Sequence, residues 1–147
     1  MKLASLGIFS DLLLDDSQEI IDYYIQIDLI PILLKILKYG TDVTQIVSAF
    51  ILDKIISNAH GIESICSDIE KIASVVKVLS EVVVRLCKNF VPNLSKYIVN
   101  SFNALIEKDK AKPIIVSMWN NSFKDIQATE ACSEEFINML YTLKSGC

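Results

Sequence analysis

The sequence is poor in the residues that chemistry needs. It holds one histidine, His60, and one arginine, Arg85, against 13 lysines. Its four cysteines, Cys66, Cys87, Cys132 and Cys147, never fall in C-x-x-C spacing. With a single histidine beside them, neither a zinc site nor a disulfide framework is expected, and reduced thiols fit better. The four glycines are isolated, so no glycine-rich phosphate loop exists. Any Ser-His-Asp or Cys-His arrangement would have to use His60, which sits in "NAHGI" beside Gly61 and reads as a solvated turn residue. The pair Asp15-Asp16 precedes "SQE", where acids favour a helix N-terminus over acid–base work. The chain is therefore expected not to be an enzyme and to need no cofactor and no metal.

Long uncharged runs are also missing. The longest, residues 113–123, contains Asn120 and Asn121, and a membrane span needs roughly 20 apolar residues. Yet 52% of the residues are hydrophobic and mean hydropathy is +0.41. Such residues must be buried in protein. The N-terminal "MKLASLGIFSDLLLDD" has one lysine and an apolar run broken by Asp11, so it does not read as a signal peptide. No membrane partner is expected.

Net charge is −4 but uneven. Residues 1–28 carry one lysine against six acids, while 85–124 carry seven basic residues against Glu107 and Asp109. Scarce arginine argues against nucleic acid as the main partner, because arginine is the favoured fork for phosphate and guanine. Direct single-stranded nucleic-acid binding by the Lys-bearing 85–124 region is the alternative reading. "KDKAK" (108–112) reads as a solvated helix boundary.

What is present is helical periodicity without sustained alternation, which excludes a sheet. "IDLIPILLKILKYG" (27–40) places Asp28 to cap, Pro31 in the first turn and Gly40 to stop a helix. It is apolar nearly all round, so it is expected to be covered on most sides. Helices are predicted at 2–14, 18–25, 29–39, 42–57, 62–67, 69–89, 92–107, 110–119 and 133–145, with one sizeable loop at 120–132.

A shift of 42 residues lays 20–37 on 62–79. Tyr23 meets Ile65, Ile30 meets Ile72, Leu33 meets Val75, Lys35 meets Lys77 and Leu37 meets Leu79. A repeat of about 40–47 residues built from two or three helices is the armadillo/HEAT class. The predicted fold is an all-α, right-handed, armadillo-like solenoid with a period of about 42 residues, one domain over 1–147. "QIVSAF" (45–50) resembles "YIVNSF" (97–102) at a shift of 52, and "LASLGIFSDLL" (3–13) falls on "IVSAFILDKII" (46–56). Residues 3–13 thus take a third-helix position and the array is expected to open within a repeat. Leu3, Leu6 and Phe9 would then form a face for self-association or capping by a partner.

Third helices line the groove of such stacks. On 92–107, Lys96, Asn100, Asn103 and Glu107 share one face. Thr44 and Ser48 are their expected counterparts on 42–57. Tyr97 and Phe102 could wall an aromatic pocket, although core packing is the default for Phe102, as it is for Met118 and Trp119.

The order and spacing of "LASLGIFSDLL", "EIIDYYIQIDLIPILLKILKYG", "SAFILDKII", "GIESIC" and "SKYIVNSF" go beyond periodicity. Over roughly residues 3–145 the chain resembles the C-terminal half of the "required for cell differentiation" (Rcd-type) proteins, armadillo-repeat subunits of the CCR–NOT deadenylase complex. The resemblance implies a non-enzymatic scaffold, cytoplasmic and nuclear. It would dock on the Not scaffold protein and receive short adaptor motifs, including tryptophans that enter surface pockets. Its outcome would be mRNA deadenylation, decay and repression. The segment equivalent to "YIVNSFNALIEK" is richer in arginine in the family. In the family a Tyr and an Arg line a tryptophan pocket there; here Asn100, Phe102 and Ala104 stand at those places. That departure counts against both tryptophan-motif and nucleic-acid binding, and Tyr97, Phe102 and Ala104 are the candidate aromatic-motif pocket.

Overall fold

The computed structural model describes residues 18–122 and 133–144; nothing is stated for the side chains of 118–122 and 143–144. Eight helices occupy the described residues: α1 Gln18–Gln26, α2 Ile30–Tyr39, α3 Asp42–Ile56, α4 Ala59–Cys66, α5 Ile69–Lys88, α6 Pro92–Ile106, α7 Lys112–Ser122 and α8 Glu134–Lys144. No strand occurs among the described residues.

Local chemistry explains the boundaries. Pro31 lies in the first turn of α2, where its missing N–H costs nothing, and Gly40 closes the helix by donating its N–H to the Ile36 carbonyl at 2.7 Å. Thr41 caps α3, accepting from the Thr44 N–H at 3.4 Å. Asp68 caps α5, accepting from Glu70 at 2.9 Å. Each cap satisfies an N–H that the helix itself leaves unpaired.

Three expectations are corrected. Asp28 does not cap α2: it takes a left-handed backbone (φ 55°) and Leu29 holds the N-cap position without a side-chain bond. α4 begins three residues earlier than predicted because Asn58 caps it, accepting from the N–H groups of His60 at 2.9 Å and Gly61 at 3.2 Å. α7 runs through Asn120 and Asn121 to Ser122, so these asparagines do not open the loop. The rest of that loop and the predicted helix 2–14 lie outside the described residues.

The packing order shows how the helices stack. α1 packs on α4, α2 on α5 and α3 on α6, each pair three helices apart. Further along, α5 packs on α7 and α6 on α8. The three-helix spacing of the first pairs thus gives way to a two-helix spacing in the last ones. One continuous core runs through the described helices, including Leu33, Leu37, Ile51, Leu52, Ile72, Val75, Val76, Leu79, Ile98 and Leu105. Burying each such side chain contributes about 1.5–3 kcal/mol against leaving it in water. The apolar α2 is covered on one side, at Leu33, Leu34, Ile36 and Leu37, while Ile32 and Tyr39 stay exposed. No described helix is long and apolar enough to cross a membrane; the 20-residue α5 is amphipathic, with Glu70, Lys77, Glu81 and Lys88 off its buried face.

Gly61 is required by a close approach. A Cβ there would overlap the Ile55 carbonyl at the end of α3. Arg85 ties α5 back to α2, its Nη2 donating to the Leu37 carbonyl at 2.6 Å.

Candidate groove between the third helices

α3 and α6 run side by side, and their seam carries the candidate site. Lys96, Asn100, Asn103 and Glu107 all reach solvent, as their spacing predicts. Their counterparts on α3 differ from those expected. Ser48 is fully buried, and its Oγ finds no hydrogen-bond partner. Thr44 is half-buried and turned back into the N-cap, its Oγ1 donating to the Thr41 carbonyl at 3.0 Å. The reason is register. Burial along α3 matches burial along α6 when Ser48 is set against Ile98, Ala49 against Val99 and Leu52 against Phe102. "QIVSAF" and "YIVNSF" are alike in letters but two residues out of phase in the stack.

At that shift of 50, Phe50 corresponds to Asn100 and Lys54 to Ala104 in the burial pattern. Phe50 and Tyr97 stack across the seam with ring centroids 5.4 Å apart and planes 16° apart. Lys54 Nζ lies 5.7 Å from the Phe50 centroid and Lys96 Nζ 5.6 Å from that of Tyr97. Both are within cation–π range. The result is a half-buried aromatic pair with an ammonium at each side.

Beneath it Asp53 is buried. It accepts from Ser57 Oγ at 3.2 Å and from the Asn100 amide. Burial pushes its carboxyl above the ordinary 3.8, opposed by those two hydrogen bonds and by Lys54 and Lys96. A cleft of about 340 Å³ continues from this seam toward α8, reaching Lys96, Val99, Asn100, Ser133 and Glu135.

The candidate pocket of Tyr97, Phe102 and Ala104 is not assembled as expected. Tyr97 and Ala104 share the half-buried edge of α6, but Phe102 points the other way into the core at 2% exposure. Phe50 on α3 takes the place beside Tyr97. Sequence reasoning missed Phe50, Asp53 and Lys54. Their signal was the spacing of Phe50 and Lys54 at i and i+4 on the outer face of α3, which the two-residue register slip concealed. Leu3, Leu6 and Phe9 lie outside the described residues.

His60 sits in the first turn of α4, not in a free turn. Its Nδ1 is 3.0 Å from Asp22 Oδ1 on α1. The hydrogen bond to His60, then that to Gln18, holds the Asp22 carboxyl below its ordinary value. Gln18 and Asn58 complete this exposed clasp, Asn58 donating to Gln18 Oε1 at 2.9 Å. The described residues hold no group of three or more His, Cys, Asp or Glu side chains that could hold a metal ion.

The described residues form an all-helical protein in which α3 and α6 present a polar and aromatic seam. It belongs to the cell differentiation family, Rcd1-like, whose profile matches residues 1–144. Among curated proteins it is similar to "Cell differentiation protein rcd1" of Schizosaccharomyces pombe, 25% identical over 146 residues, covering 93% of this chain and 52% of the relative. It is also similar to "Protein CAF40" of Saccharomyces cerevisiae, 27% identical over 136 residues, covering 92% of this chain and 36% of the relative. The chain thus spans about half the length of one relative and just over a third of the other.

Proposed function

We propose that this chain is a non-enzymatic adaptor subunit of the CCR–NOT deadenylase complex. It binds the Not scaffold protein and short peptide motifs of regulators, and so serves mRNA deadenylation, decay and translational repression in cytoplasm and nucleus. Family membership over residues 1–144 is the observation that carries this reading. The finer architecture belongs to the same proposal: one domain, a right-handed armadillo-type stack, a period of about 42 residues in the sequence repeat. The peptide-binding surface is the α3–α6 seam, with Phe50 and Tyr97 as its apolar floor and Lys54, Lys96, Asn100, Asn103 and Glu107 around it. Stacked rings give a rigid apolar platform, and amides and charges beside them fix the orientation of a bound segment. Tethering the chain to a reporter mRNA in its own cells tests the proposal. The poly(A) tail is expected to shorten; an unchanged tail with well-expressed, folded protein would contradict it.

One observation favours a second reading, single-stranded nucleic-acid binding. Two ammonium groups beside a stacked aromatic pair resemble the platforms on which bases stack. Such binding weakens as salt rises, so a titration with an oligothymidylate at two salt concentrations tests it. Self-association through Leu3, Leu6 and Phe9 is a further part of the proposal. The apolar character of those side chains supports it, and a concentration-independent monomer in sedimentation would contradict it.

A further inference from the structure

A second apolar cleft stands apart from the α3–α6 seam. It lies among α1, α2, α4 and α5, with a volume of about 300 Å³. Buried Tyr24, Leu34 and Ile55 form its floor, and Ile25, Ile30 and Pro31 its wall. Gly61 lines it as well, and a side chain there would meet the Ile55 carbonyl. The space suits one large side chain, near the low end of the volumes that hold small ligands.

The rim has a definite sign. Asp28, Asp68 and Glu70 stand around the mouth against Lys71, three acids to one base. Asp68 is occupied as the cap of α5. Among the described residues no side-chain hydrogen bond engages the carboxylates of Asp28 or Glu70. Asp28 also holds a left-handed backbone, a region in which aspartate is enriched among non-glycine residues. Its carboxylate serves neither as a cap nor in an ion pair among the described residues.

We infer that this cleft docks a short peptide segment carrying one large apolar side chain next to lysine or arginine. The apolar residue fills the floor and releases water from it. The neighbouring cation meets Asp28 and Glu70 at the rim, which sets orientation and rejects acidic segments by like-charge repulsion. Nucleic acid does not suit the site, because its phosphates would face the same carboxylates. The inference stands apart from membership of any complex, since it concerns the isolated chain.

The test uses the isotope-labelled chain and three capped pentapeptides: Ala-Lys-Phe-Lys-Ala, Ala-Glu-Phe-Glu-Ala and Ala-Lys-Ser-Lys-Ala. The first is expected to move the amide resonances of Ile25, Ser64 and Ser74. The other two should bind at least about tenfold more weakly, as the loss of the charge match or of the apolar anchor requires. Combining Asp28→Asn with Glu70→Gln should weaken the first peptide severalfold while leaving the circular dichroism spectrum unchanged. Equal binding of the Lys and Glu peptides would overturn the inference. So would equal binding of the Phe and Ser peptides, no shifts at the cleft, or an oligothymidylate moving the same amides.

Discussion

Ser48 sits where the following unit has Ile98, in the core between stacked third helices, and its hydroxyl has no partner there. A buried unpaired polar group costs about 1–3 kcal/mol. Ser48→Ala removes that cost and leaves only a small void. The variant is expected to gain up to about 1 kcal/mol in denaturant unfolding; a comparable loss would mean that the hydroxyl is satisfied in solution. Gly61 is the opposite case. Gly61→Ala drives a methyl into the Ile55 carbonyl, and such overpacking is expected to cost about 1–3 kcal/mol. Asp53 gives a pH signature. Its folded-state carboxyl titrates above the ordinary 3.8, mainly because it is buried. The folded state therefore holds that proton more tightly, and this residue's contribution to stability falls as pH rises from 3.8 upward through the raised value. Asp53→Asn should be more stable than the parent at neutral pH, and the difference should close as pH drops toward 4. Comparing urea midpoints of the two proteins across that range cancels the opposite contribution of Asp22.

At the scale of helices, most of the fold was legible. Apolar spacing fixed the existence of all eight described helices, and Pro31, Gly40 and Pro92 marked their ends within a residue or two. Asn58 escaped because an asparagine in "SNAHGI" reads equally as turn or cap until its amide oxygen is seen to face the His60 and Gly61 N–H groups. Asp28 misled for the converse reason: it has a capping residue type but a left-handed backbone. The outer face of α6 followed from one-helix spacing alone. Its match on α3 did not, because register between helices depends on three-dimensional packing, and a similarity of six letters can lie two residues out of phase. Asn58→Ala removes the cap of α4 together with its bonds to Gln18 on α1. It is expected to destabilise the chain by about 1–2 kcal/mol. Amide hydrogen exchange should show the loss first in α1 and α4. Unchanged protection there would mean that packing alone holds this pair.

At the scale of the molecule, α1 leans on α4, α2 on α5 and α3 on α6, and further along α5 leans on α7 and α6 on α8. Such an array carries long surfaces and little enclosed chemistry, which suits recognition of extended partners. The lone histidine is spent on a surface clasp and the buried aspartate on a seam between helices. The measurement that tests this account most directly is affinity capture of the tagged chain from its own cells, with mass spectrometry of the proteins recovered. The account predicts the Not scaffold and the deadenylases among them, with reduced recovery of regulator proteins when Lys96→Glu and Asn100→Ala alter the α6 face. A folded, helical chain that captures neither scaffold nor deadenylase would contradict the adaptor role and leave family membership as a statement about fold and ancestry.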